Sequence, residues 1–194
     1  MHVFGQRFRF ESARVSVLAL RFATVIALAV WFGGFTFYST AVIATSQEVL
    51  HSHLRAGLIT QQVTNWLNWI SLPALAICGG NLSAQRKDPR RLWIWLLGAA
   101  FAGMVVTQVM LFPAHRILDA RIVEHRVADD AAFFRLHRVY LVLATLQWCA
   151  TVVYIWATLV LWTDRVKEAV RSERGSGVVL AAAEVRLAGE SARN

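Results

Sequence analysis

Charge is what this chain has least of. Only 16% of its 194 residues are Asp, Glu, Lys or Arg, where a soluble domain carries about a quarter. The shortage is concentrated in four apolar stretches, 22–44, 63–82, 92–112 and 139–162, which contain no charged residue. Each is about 20–24 residues long, enough for a helix to cross a hydrocarbon layer of about 30 Å. One charge at the centre of such a helix costs about 2.5–3.5 kcal/mol on insertion scales. The pattern argues against an ordinary soluble domain. It predicts an all-α integral membrane protein, a four-helix transmembrane bundle.

Cysteine and proline are also sparse. The two cysteines, Cys78 and Cys149, both fall inside predicted spans, and no CxxC occurs. That argues against a disulfide framework and a thiolate metal site, leaving two small apolar fillers. Of the three prolines, Pro89 reads as a start signal for the third span and Pro113 as its end. The spans hold no set of acid, base and nucleophile, so the sequence predicts no enzyme, no catalytic residue and no cofactor.

The charge that is present is basic, with a formal net of +8. It does not form one patch, so it is not read as a nucleic-acid surface. Arg7, Arg9, Arg14 and Arg21 precede the first span. Arg86, Lys87, Arg90 and Arg91 separate the second from the third, and Arg165, Lys167 and Arg171 follow the fourth. Basic residues in short loops mark the cytoplasmic side, so both termini and the second loop are expected inside, N-in and C-in. The flanks are suited to anionic lipid headgroups. The first apolar run, about 23 residues, is too long for a signal-peptide core of about 7–15. Only two of the 20 basic residues, Lys87 and Lys167, are lysine. This arginine bias points to a GC-rich bacterial genome, and with the four apolar stretches the expected location is a bacterial inner membrane.

Three segments follow: a basic cytoplasmic lead-in over 1–21, a membrane domain over 22–162, and a basic, partly disordered cytoplasmic tail over 163–194, broken at its Gly-Ser-Gly. The first outer loop is expected at 45–61 with a short surface helix. The third, at 114–138, is expected to be partly helical, with Asp129 or Asp130 capping the last span. Trp66, Trp69, Trp93, Trp95 and Trp162 stand at the expected membrane interfaces.

Two kinds of residue inside the spans could carry function. Polar groups at membrane depth are costly and often functional. The candidate polar site is Asn65, Asn68, Gln108, His137 and Gln147, expected to form an outward vestibule or ordinary interhelical hydrogen bonds. His115 and Asp119, four apart, are a weak metal pair, with His137 a third weak candidate. Small residues at four-residue spacing let helices approach closely: Ala29 with Gly33 and the adjoining Gly34, Ala76 with Gly80, and Ala99 with Gly103. A close crossing is predicted at Gly33, with the third or fourth span.

The stretch "WFGGFTF" in the first span, the "LFP" that closes the third and the "FFRLH" that enters the last stand in an order that resembles the transmembrane protein 205-like family. Trp31, Gly33 and Gly34, and Phe133 or Phe134 with Leu136 and His137, carry the likeness. The family has a serine and an asparagine after that histidine, where this chain has Tyr140 and Ala144. The resemblance implies a four-helix membrane domain of unknown function. A looser resemblance to copper-resistance D-like membrane proteins rests on the aromatic-glycine first span and scattered histidines. Three functions stay open: assembly with a second copy or a membrane partner, outward-facing transport or tolerance of a small solute or metal such as copper, and electron carriage through haem or quinone.

Overall fold

In a computed structural model of the chain, the described backbone covers residues 2–123, 126–127 and 130–191, and side chains are described for 15–52, 55–121, 131–167 and 171. Helix α1 runs His2–Phe37 and passes through a π turn, Tyr38–Val42, into α2, Ile43–Leu50. Helices α3, His53–Gln85, and α4, Arg91–Ala120, follow. A short antiparallel ladder joins β1, Ile122–Val123, to β2, Arg126–Val127, and α5 spans Asp130–Ser191. The chain divides into two units, 1–154 and 155–194. All contacts described below lie within the first.

The punctuation is local chemistry. His51 ends α2 in the left-handed conformation, with φ 44°, and Ser52 then caps α3 by accepting from the Arg55 N–H at 3.4 Å. The turn between α2 and α3 is thus shorter than the loop expected at 45–61, because α3 starts ten residues before the apolar run at 63. Between α3 and α4, Asp88 accepts from the Arg90 side chain at both carboxylate oxygens, each 2.8 Å, and from its backbone N–H at 3.1 Å. Pro113 does not end α4, which continues to Ala120. A proline removes one i→i−4 hydrogen bond, and the surrounding turns hold the helix. The Gly-Ser-Gly at 175–177 likewise lies inside α5. Asp129 falls outside the described residues.

Many large apolar side chains are exposed, and the interior mixes apolar with polar ones. Leu92 and Trp95 are each 77% exposed, while Thr24 and Ser71 are fully buried. Hydroxyls of α1 and the π turn donate to the carbonyl four residues back: Thr24 to Leu20, Thr36 to Phe32, Ser39 to Phe35 and Thr40 to Thr36, all at 2.8 Å. That is how "FTFYST" keeps hydroxyls in an apolar helix without leaving them unpaired.

Among the described residues three helical stretches are long and apolar enough to cross a membrane: Val15–Leu50, Arg91–Ala120 and Ala131–Lys167. The expected second span, within α3, does not reach that apolarity. Its polar residues are the reason, and most of them point inward. Thr64, Asn68, Ser71, Asn81 and Gln85 are buried, while Trp66, Trp69 and Leu72 are exposed.

The small residues divide differently from expectation. Nothing lies within 4 Å of a Cβ placed on Gly33, whereas one on Gly34 meets Leu67 of α3 at 3.5 Å. The crossing near this depth is therefore with α3 and falls at Gly34. A Cβ on Gly80 meets Leu20 of α1, and one on Gly103 meets Cβ of Ala150 on α5, each at 3.5 Å. Ala29, Ala76 and Ala99 are exposed. Four residues advance a helix about 40° beyond a full turn, so the two members of such a pair need not face the same neighbour. A Gly103→Leu change should force α4 from α5 and lower stability by about 1–3 kcal/mol. Thermal unfolding in mild detergent measures this, and an unchanged midpoint would contradict the crossing.

Candidate functional site

The buried seam of α3 has a regular spacing. Thr64, Asn68, Ser71, Leu75, Cys78, Asn81 and Gln85 are all buried and separated by three or four residues, the period that keeps side chains on one helix face. Only Leu75 and Cys78 in that row are apolar. The row gives α3 two hydrogen-bonding centres, about three turns apart.

The first centre is a chain of amides across three helices. Gln147 of α5 donates through Nε2 to Oε1 of Gln108 on α4, 2.6 Å. Gln108 donates through Nε2 to Oδ1 of Asn68 on α3, 3.3 Å. All three residues are at most 8% exposed. The amides thus point the same way, and Asn68 Nδ2 ends the chain buried and without a hydrogen-bond partner. One turn along α3, Thr64 donates to the hydroxyl of Tyr38 at 3.2 Å. Tyr38 donates in turn to the Thr60 carbonyl at 3.4 Å, and the π turn that starts at Tyr38 sits at this junction.

The second centre lies toward the other end of α3. Gln85 donates through Nε2 to Asn81 Oδ1 at 3.0 Å, and Asn81 donates through Nδ2 to the Tyr154 hydroxyl at 2.9 Å. Tyr154 closes the set by donating to the Cys78 carbonyl at 2.8 Å. None of Asn81, Gln85 and Tyr154 was a candidate on sequence grounds. The signal was available in the polar residues at 64, 68, 71, 81 and 85, which share one helical face.

Three of the five expected polar residues thus converge: Asn68, Gln108 and Gln147. Asn65 is exposed, because it directly follows buried Thr64 and one residue turns a helix by about 100°. His137 stands apart, exposed and stacked on Phe133 with centroids 5.9 Å apart and planes 6° from parallel.

Asn65 instead lines an open cleft of ≈ 530 Å³ between the beginning of α3 and the end of α4. Trp69 and Phe112 form an aromatic side, with rings edge-on at 5.9 Å. Gln61 and Gln62 add amides, and His115, Arg116 and Asp119 add titratable groups. His115 Nε2 is 3.5 Å from Asp119 Oδ2. That nitrogen is buried and makes no hydrogen bond. The His115–Asp119 pair foreseen for a metal is therefore in place, but it supplies two donors. No group of three His, Cys, Asp or Glu suited to a metal occurs among the described residues.

No family model, curated protein or solved structure matches this chain.

The amide chain has a testable order of importance. Gln108→Leu strands Gln147 Nε2 and Asn68 Oδ1 together, whereas Gln147→Leu leaves only the Gln108 carbonyl unmet. An interhelical hydrogen bond in a membrane protein averages about 0.6 kcal/mol and reaches about 1.7. Gln108→Leu should therefore cost about twice as much as Gln147→Leu in unfolding free energy. Equal costs in reversible unfolding from mixed micelles would show that the chain does not link the three helices.

Proposed function

We propose that this chain is a multi-pass membrane protein acting by assembly, not catalysis, with α3 the fourth membrane helix of an N-in, C-in domain. Hydrogen bonding supports the four-span reading. The polar side chains that lower the apolarity of α3 are turned inward and meet one another, so lipid would face Trp66, Trp69 and Leu72. The basic flanks support the orientation, and the arginine bias supports a bacterial inner membrane. The resemblance to the transmembrane protein 205-like family agrees with this architecture.

One observation carries the assembly reading. Phe22, Ile26, Ala29, Gly33 and Phe37 recur at spacings of three or four along α1, and all are exposed. Gly33 has open space over it. A stripe with small residues in the middle and large ones at the ends suits a close helix crossing. Here its occupant is a second copy of the chain, meeting α1 with α1. Gly34, Gly80 and Gly103 each meet a neighbouring helix of the same chain, whereas Ala29 and Gly33 are both exposed on one face of α1.

Gly33→Leu should leave the monomer's unfolding free energy within about 0.5 kcal/mol of wild type, as for a surface change, yet abolish the dimer. Sedimentation or light scattering in mild detergent, with crosslinking in membranes, measures both. A wild-type chain that stays monomeric at all protein-to-detergent ratios would remove the proposal.

A further inference from the structure

The cleft between α3 and α4 carries both signs of charge, an unmet buried nitrogen and an aromatic side. We propose that it holds the headgroup of a phospholipid with a primary amine, phosphatidylethanolamine in class. The inference rests on the membrane reading of the helices and is independent of the α1 stripe.

The first support is depth. Trp69 and Phe112 mark the apolar side of the cleft. Arg116 and Asp119 lie four and seven residues beyond Phe112, about 6 and 10 Å along a helix rising 1.5 Å per residue. The headgroup layer on each side of a bilayer is about 5–8 Å thick. An acyl chain against the two rings therefore brings its phosphate and amine to the level of Arg116 and Asp119.

The second support is donor and acceptor count. A guanidinium is suited to phosphate oxygens, which it can grip with two parallel N–H groups. A primary ammonium has three donors and no acceptor. The cleft offers it Asp119 Oδ2, His115 Nε2 and an amide oxygen of Asn65 or Gln61. The first two are 3.5 Å apart, a separation that one nitrogen bridges with two hydrogen bonds of about 2.8 Å. His115 is buried at 7% exposure and lines the cleft, and its Nε2, beside Asp119, completes no hydrogen bond within the protein. The other occupants fit less well. A metal finds His115 and Asp119 but no third His, Cys, Asp or Glu among the described residues. An anion alone faces the Asp119 carboxylate. A trimethylammonium headgroup brings no N–H to the acceptors.

Native mass spectrometry of the delipidated full-length protein, titrated with single lipids, tests this. Phosphatidylethanolamine should bind about tenfold more tightly than phosphatidylcholine or phosphatidylglycerol of the same acyl chains, the worth of one charge-assisted hydrogen bond. Asp119→Asn should erase that preference by weakening phosphatidylethanolamine without weakening phosphatidylglycerol, which loses a repulsive carboxylate, and Asp119→Glu should restore it. Arg116→Gln should weaken both lipids alike. Circular dichroism checks that each variant keeps its helix, and the phosphatidylglycerol titration reports the rest of the cleft. Equal binding of the three lipids by the wild type would overturn the proposal, as would an Asp119→Asn variant that keeps the preference. Competition by glycerophosphoethanolamine at the lipid's own concentration would overturn the lipid assignment in favour of a soluble phosphoamine. A dimer lost by Gly33→Leu leaves these titrations unaffected.

Discussion

A buried amide that no water reaches has to find its partner in the protein, and this requirement organises the first 154 residues. An unmet amide in an apolar setting costs several kcal/mol, so α3 cannot be rotated or slid without opening two networks at once. Asn68 ties it to α4, and through Gln108 to α5. Asn81 ties it directly to Tyr154 of α5. Apolar packing alone permits many helix rotations, because one lipid-like surface resembles another. Two fixed points, more than three turns apart, leave one. The glycine contacts at Leu67, Leu20 and Ala150 then set how close the helices come at the orientation the amides impose.

The same requirement explains what could be read from the sequence. The three most apolar helices were visible because each is apolar on nearly every face. The charge-free run of α3 was visible too, but a count of apolar residues undervalues it: its polar residues are gathered into one buried row at 64, 68, 71, 81 and 85. Asn68, Gln108 and Gln147 could be picked out as a set because amides at membrane depth are rare. Which of them touch could not be read, since that depends on helix rotation. Asn81 and Gln85 give no such signal because they stand beside the polar turn at 86–90, where polarity is ordinary. Tyr154 looked like one more aromatic in an apolar run. The Gly33 crossing was misplaced by one residue, a rotation of about 100°, enough to move it from the α3 contact to the outer face.

Two surfaces are left over once the seam is satisfied, and they differ in kind. The α1 stripe is apolar and shaped by what it lacks, side-chain volume at Ala29 and Gly33. The cleft at the far end of α4 is polar, with His115 buried and Asp119 beside it. In the proposed reading the first meets another helix and the second a lipid headgroup. Both are non-covalent tasks, in keeping with a core whose polar groups are largely occupied by one another.

The orientation of α3 is the point on which the rest turns, and spin-label accessibility measures it directly. In a chain with Cys78 and Cys149 replaced, labels at Leu72 and Ala76, both on the exposed side of α3, would be examined in lipid vesicles. Frequent collisions with oxygen and few with a water-soluble nickel chelate are expected, because these positions face lipid at mid-span. Strong collisions with the chelate at both positions would mean that this side of α3 is wet, and would contradict a membrane helix with its polar seam turned inward.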